Sequence, residues 1–183
     1  MLAMDGFALS PLLLFFLLVH GALAAPVADA IAIADRDNVN VNVEAATVGK
    51  IRGVQAPIYH LYLQANPTNA STPVLGPEVS ADNFTIGDTI QAKKTNAYLN
   101  VVAATTSYKP LVWGAGAETT AWGLEGDTII TVTGSAFGRQ LNFLACESKE
   151  ASGYFDLFLQ TGSEVPSGRS CSNYQTIHLP CLC

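Results

Sequence analysis

The sequence predicts an all-β protein, a single antiparallel barrel or sandwich domain built from many short strands. From residue 58 onward, β-like runs alternate with Gly-, Pro- and Asp-containing turns at intervals of about 8–12 residues, a spacing typical of barrels and sandwiches. No convincing helical periodicity follows residue 57. The expected strands are 58–64, 83–86, 89–92, 97–103, 110–113, 120–124, 127–133, 140–146, 153–160 and 174–179, with a long polar loop over 65–82.

Two pairs of similar segments within the sequence suggest a trefoil-like barrel as the alternative fold. Gly87-Asp-Thr-Ile90 recurs further along the chain as Gly126-Asp-Thr-Ile129. Tyr59–Gln64 also resembles Phe155–Gln160. The first displacement suits the repeat of a trefoil-type barrel, whereas the second is not a multiple of the first. Strict threefold repetition is therefore not established. The alternative remains that the segments resemble each other only because short strands use few residue types.

Residues 1–24 are interpreted as a secretory signal peptide. Residues 7–19 form a short apolar core, and the small residues Ala22 and Ala24 fit an A-x-A cleavage site. Pro11 and the His20-Gly21 pair interrupt this run, so it is poorly suited to span a membrane, which takes about 20 apolar residues. The expected product is a secreted protein that is not held in the membrane once residues 1–24 are removed.

The mature chain is expected to hold one domain. Residues 25–57 are interpreted as a flexible or edge-strand segment, because they begin Ala-rich and then alternate Asn and Val over 38–43. Residues 58–183 are the expected β-domain with a disulfide-tied C-terminus. The mature part has nine basic and 14 acidic residues, a net charge of −5, and no basic cluster. This balance argues against nucleic acid or an anionic membrane as a partner; the oligomeric state is left open.

No catalytic, metal or cofactor signature is recognised, so no cofactor is expected. A Gly-x-Ser-x-Gly nucleophile elbow is missing from the sequence, and His60 and His178 are interpreted as strand residues. A glycosidase-like pair of carboxylates remains an alternative. Its candidates are Glu118, Glu125, Asp127 and Asp156. Asp127 and Asp88 occupy the same place in the two Gly-Asp-Thr-Ile copies, which favours a role in turns.

The most suggestive binding residues are aromatic. Tyr108, Trp113 and Trp122 lie close together in the sequence, in and beside a Gly-rich segment. Flat rings with a polar edge suit extracellular recognition, for example of sugars. The competing interpretation is that both tryptophans are core residues.

Two intact sequons predict N-glycosylation at Asn69 and Asn83. Their sequences are Asn69-Ala-Ser71 and Asn83-Phe-Thr85, and both lie in or beside the polar loop.

The four cysteines, Cys146, Cys171, Cys181 and Cys183, predict disulfides rather than a metal site in a secreted chain. A bond between Cys181 and Cys183 would close a very small, strained ring. Geometry alone therefore favours pairing each of them with Cys146 or Cys171.

The C-terminal part of the chain, from Trp122 onward, resembles the fungal secreted cell-wall family of the phialide-development protein and its IgE-binding relatives. The resemblance is carried by Trp122-Gly-Leu-Glu-Gly126, Leu141-Asn-Phe-Leu-Ala-Cys146, Gly153-Tyr-Phe-Asp-Leu-Phe158, and Val165-Pro-Ser-Gly168 followed by Cys171. It implies a secreted or wall-associated β-domain with no known catalytic residues. It also implies a Cys146–Cys171 bond, against the geometric argument.

Three functions follow as hypotheses. The first is a secreted, non-enzymatic cell-wall or cell-surface protein that binds wall polysaccharide through the aromatic residues. The second is a small secreted hydrolase that acts on glycans through paired carboxylates. The third is a purely structural or effector-like secreted protein without a small ligand.

Overall fold

The computed structural model describes residues 46–180, and the predicted all-β class is confirmed. Within this range the chain forms strands and one 3₁₀ turn, Glu78–Ser80. The strands are β1 (Thr47–Gly49), β2 (Arg52–Gly53), β3 (Tyr62–Ala65), β4 (Pro73–Gly76), β5 (Phe84–Ile86), β6 (Ile90–Ala92), β7 (Tyr98–Val101), β8 (Tyr108–Gly114), β9 (Trp122–Glu125), β10 (Thr128–Thr131), β11 (Phe143–Glu147), β12 (Phe155–Gln160), β13 (Cys171–Gln175) and β14 (Ile177–His178).

The strands follow a threefold plan. There are three antiparallel hairpins: β3–β4, β7–β8 and β11–β12. The second strands of these hairpins lie together, because β12 pairs with both β4 and β8, and β4 contacts β8. Three further antiparallel pairs, β5–β6, β9–β10 and β14–β2, alternate with these hairpins along the chain. This alternation of hairpins and pairs is the order that the trefoil-like alternative predicts.

The second set of pairs curls into the barrel wall. β14 pairs with β10, which joins two of these pairs, and β1, the strand just before β2, pairs with β5. A backbone hydrogen bond of 3.0 Å from Trp122 N to Asp88 O connects the start of β9 to the turn between β5 and β6. The Gly-Asp-Thr-Ile copies lie at the hairpin turns between β5 and β6 and between β9 and β10. Their similarity therefore marks equivalent turns of two repeats.

A continuous hydrophobic core fills the barrel. Every repeat contributes aliphatic residues to it, and the large rings of Phe84, Trp122 and Phe143 are fully enclosed. Trp122 is 1% exposed and donates its indole Nε1–H to Leu99 O at 2.9 Å. The core therefore anchors β9 directly onto β7.

One sequence prediction is corrected here. Residues 65–82 are not entirely a loop, because Pro73–Gly76 form β4, a buried strand between β3 and β12. Before residue 58 the described chain already contains β1, which pairs with β5, and β2, which pairs with β3 and β14, and Ile51 belongs to the core. The predicted signal peptide and the Asn/Val alternation over 38–43 lie outside the described residues.

A disulfide joins Cys146 to Cys171. The two residues are directly opposite each other on the antiparallel strands β11 and β13. The pairing implied by the family resemblance is therefore confirmed, and the geometric expectation that Cys146 and Cys171 bond to the last two cysteines is wrong. Cys181 and Cys183 lie outside the described residues.

Candidate functional site

A cavity of about 520 Å³ lies beside Trp113. This volume is within the range of small-molecule sites, roughly 300–1,000 Å³. The cavity is lined by the end of β3, the end of the 65–72 loop, the segments around β5 and β6, and the end of β8. Its lining combines small apolar residues, two aromatic rings and several polar side chains: Gln64, Ala65, Ala70, Ser71, Asp82, Phe84, Ala92, Thr95, Asn96, Ala97, Trp113, Gly114 and Ala115.

Trp113 is held in place by its strand and by two contacts. Side chains alternate along β8, so Trp113 shares a face with the buried Leu111. Its indole ring stacks parallel on Phe84, with ring centroids 5.7 Å apart and an interplanar angle of 5°. Its backbone N–H donates to Ser71 O at 2.8 Å, which attaches the loop to the end of β8. The ring is therefore a fixed wall of the cavity.

The polar groups of the cavity fall into two kinds. Gln64 and Asp82 are buried and committed to the fold: Gln64 Nε2 donates to two backbone carbonyls, and the Asp82 carboxylate accepts from two backbone N–H groups. The exposed Ser71, Thr95 and Asn96 surround the mouth instead. The cavity thus has a preorganised interior and a hydroxyl- and amide-bearing rim.

One polar group beside the cavity has no partner. The Nε1–H of Trp113 is buried and makes no hydrogen bond within the described part of the chain. A buried donor left unpaired costs about 1–3 kcal/mol. An acceptor supplied by water or by a ligand would recover part of this cost.

The three predicted aromatic residues do not form one site. Only Trp113 lines the cavity. Trp122 is enclosed in the core, where its N–H is already bonded to Leu99, so it offers no surface. Tyr108 is an odd number of positions before Trp113 on the same strand, which puts it on the opposite face, and it packs edge-on against Phe158 at 5.6 Å. Tyr108 and Trp122 therefore do not share a surface with Trp113.

The candidate carboxylates are not part of the cavity. Glu125 is paired with Arg139, and Asp156 is paired with Arg169 at 2.6 Å. Glu118 is exposed and is likewise absent from the cavity lining. None of these three side chains is therefore placed to act on a ligand beside Trp113.

Asp127 belongs to a group that attaches β14 to the β9–β10 turn. Its Oδ1 lies 3.0 Å from His178 Nδ1, and His178 Nε2 lies 3.0 Å from Thr176 Oγ1. Leu179 N also donates to Asp127 O at 2.7 Å. These contacts support the structural role in a turn that the repeated Gly-Asp-Thr-Ile sequence favoured.

The carboxyl of Glu164 has a lowered pKa. Ser107 N donates to Glu164 Oε2 at 2.6 Å, and this bond, with further contributions from the Ser107 hydroxyl and from Lys109, lowers the pKa of Glu164. A glycosidase general acid needs a raised pKa, so Glu164 is unsuited to that role.

We expect NMR titration to find the Glu164 pKa below that of an ordinary glutamate, because hydrogen bonds to the carboxylate favour its charged form. Since the folded-state pKa is the lower one, the resulting stabilisation is present above the unfolded-state pKa and is lost as the pH falls through the folded-state value. Lys109→Met should raise the pKa slightly, since Lys109 is the smallest contributor. A Glu164 pKa at or above that of the unfolded chain would contradict this assignment.

Sequence reasoning missed most of the cavity. Ser71 and Asp82 come from a region that composition alone described as a loop. The available signal was the pair of sequons, since Asn69 directly precedes Ala70 and Ser71, and Asn83 directly follows Asp82. Sequons mark surface asparagines, and these two border the same cavity.

Two features are absent from the described part of the chain. No group of three or more residues suited to hold a metal ion occurs among residues 46–180. Over the same range, no helix has the length and apolar character needed to cross a membrane.

Comparison with known proteins identifies no family. No protein-family model and no curated protein matches the sequence. Among solved structures, the chain is similar to nicked CARDS toxin, with 18% sequence identity and a TM-score of 0.43. The alignment covers 74% of this chain and 26% of the toxin chain, so it spans about a quarter of that protein.

Proposed function

We propose that this protein is a secreted, non-enzymatic cell-wall or cell-surface protein of the fungal type, and that it binds wall polysaccharide in the cavity beside Trp113. The supporting observation is the indole of Trp113, fixed by Phe84 and Ser71 as one wall of a cavity of about 520 Å³. The family resemblance of the C-terminal residues supports the extracellular location. Wall polysaccharide is the proposed partner.

The composition of the cavity suits a neutral sugar. The apolar face of a pyranose ring can stack on an aromatic ring, while its hydroxyls need hydrogen-bonding groups at the edge. Phe84 covers one face of the Trp113 indole, so a sugar would stack on the other. The hydroxyl and amide side chains at the mouth can exchange hydrogen bonds with the sugar. The one carboxylate in the lining, Asp82, is already bonded to backbone N–H groups, so no strong charge is offered to a ligand.

Trp113→Ala should weaken retention on an insoluble wall polysaccharide by roughly 10- to 100-fold, as expected for an aromatic residue at the centre of a binding site. The measurement is a pull-down isotherm against β-glucan, chitin and mannan. Tyr108→Ala is the matched control, because it removes an aromatic residue from the same strand on the face away from the cavity. Urea unfolding of both variants checks that each remains folded.

Salt provides a second criterion. Stacking and neutral hydrogen bonds are not screened by ions, so retention should be nearly the same at low and high ionic strength. Equal retention of wild-type protein and Trp113→Ala on every polysaccharide would end the proposal. Retention that disappears in high salt would point to a charged partner instead.

A further inference from the structure

Both sequons contribute residues to the lining of the cavity, but they differ in where their asparagines point. Asn69 is exposed in the loop, and the next two residues of its sequon, Ala70 and Ser71, line the cavity. Asn69 Oδ1 accepts hydrogen bonds from Ser71 N at 3.3 Å and from Ser71 Oγ at 2.8 Å. These bonds engage the oxygen and not Nδ2, the atom to which a glycan is attached, and they fix the Asn69 side chain against Ser71, a residue of the lining.

Asn83 has the opposite orientation. Its neighbours Asp82 and Phe84 both line the cavity and are 7% and 0% exposed, whereas Asn83 itself is exposed. Since side chains alternate in extended chain entering β5, Asn83 points away from the face that Asp82 and Phe84 share. A glycan on Asn83 would therefore extend from the outer side of the strand.

We infer that an N-linked glycan on Asn69 covers the mouth of the cavity and restricts access to Trp113, whereas a glycan on Asn83 does not. In the glycosylated protein, the chain's own oligosaccharide therefore lies over the cavity in which wall polysaccharide is proposed to bind. A glycan is bulky and solvated, and its first sugar is attached next to residues that line the cavity. Because Ser71 O also holds the backbone of Trp113, the attachment point is fixed relative to the indole.

The test uses two single-glycan forms made in a eukaryotic secretory host. Asn83→Gln carries only the Asn69 glycan, and Asn69→Gln carries only the Asn83 glycan. Each form is compared before and after enzymatic removal of its glycan under native conditions, so each pair differs only in the sugar and the deamidated asparagine. Mass spectrometry of the glycopeptides first establishes occupancy, and an unmodified Asn69 would overturn the inference at once.

Collisional quenching by acrylamide gives a readout that does not depend on any polysaccharide. The chain has two tryptophans, and Trp122 is 1% exposed, so quenching reports mainly on Trp113. Removing the glycan from Asn83→Gln should raise the quenching constant about twofold, because a bulky group at the mouth is lost. Removing the Asn83 glycan from Asn69→Gln should leave the quenching constant unchanged. Equal changes in both forms, or no change in either, would overturn the inference.

Polysaccharide retention is the second readout, and it rests on the proposed function. Deglycosylated Asn83→Gln should bind the polysaccharide at least roughly three times more tightly than its glycosylated form. Asn69→Gln should bind equally in both states. If no form binds any polysaccharide while the quenching difference persists, the proposed function fails and the shielding of Trp113 stands. If both forms bind but deglycosylation changes neither retention nor quenching, the shielding fails alone.

Discussion

Trp122→Ala should lower the free energy of unfolding by about 3–5 kcal/mol, the cost expected when a large aromatic side chain is removed from a packed core. Trp122 is fully enclosed, and its ring packs in the cluster that connects all three repeats. Domains of this size are stable by only about 5–15 kcal/mol, so the variant should be near the limit of folding at physiological temperature. Urea unfolding, followed by far-UV circular dichroism, measures the difference.

Two companion variants separate the causes of this loss. Trp122→Phe keeps most of the ring volume but removes the Nε1–H that bonds to Leu99 O, so it should cost about 1–3 kcal/mol. Trp113→Ala should destabilise less than Trp122→Ala, because Trp113 is only partly buried and borders a cavity. An unfolding free energy for Trp122→Ala within about 1 kcal/mol of wild type would contradict the core assignment.

The contrast between the two tryptophans shows where sequence reasoning reaches its limit. Both lie in short strands near glycines, and their local patterns are nearly indistinguishable. Their different environments depend on which hairpin each strand belongs to. Trp122 begins β9, whose pairing with β10 forms part of the barrel wall and turns the ring inward. Trp113 lies near the end of β8, at the rim where the 65–72 loop crosses.

The threefold plan was only partly readable from the sequence. The Gly-Asp-Thr-Ile copies were correctly interpreted as turns, and they occupy equivalent hairpins. The similarity of Tyr59–Gln64 to Phe155–Gln160 does not reflect the repeat, because β3 is the first strand of its hairpin and β12 is the second. The informative match was instead Tyr62-Leu-Gln64 with Tyr98-Leu-Asn100, which begin equivalent hairpins and whose amide residues are both buried.

The strand within residues 65–82 could not be recognised from composition, because it forms only by pairing with strands elsewhere in the chain. Pro73–Gly76 is flanked by prolines and polar residues, which locally favour a loop. It becomes a strand because β3 pairs with one edge and β12, from much later in the sequence, pairs with the other. Pro73 is tolerated as the first residue of the strand, where a missing N–H does least harm. Ala65, Ala70, Ser71 and Asp82 of this region line the cavity, so composition did not indicate that part of the site either.

Replacing both Cys146 and Cys171 by Ala should lower the free energy of unfolding by about 2–4 kcal/mol. The bond closes a loop between cysteines 25 positions apart in the sequence. Without it the unfolded chain has more conformational entropy, which favours unfolding. β13 depends on the bond more than the other strands do, because among the described strands it pairs only with β11. Equilibrium unfolding of the double variant under non-reducing conditions, compared with wild type, measures the effect.

The C-terminal cysteines supply the matched control for this prediction. In Cys181→Ser/Cys183→Ser, non-reducing peptide mapping should still recover the Cys146 and Cys171 peptides linked to each other, and β11 and β13 should keep their stability. A map of the wild-type protein that links Cys146 or Cys171 to Cys181 or Cys183 would restore the pairing favoured by the spacing argument. The short ring between the last two cysteines does not decide the pairing, because the register of β11 against β13 places Cys146 and Cys171 opposite each other.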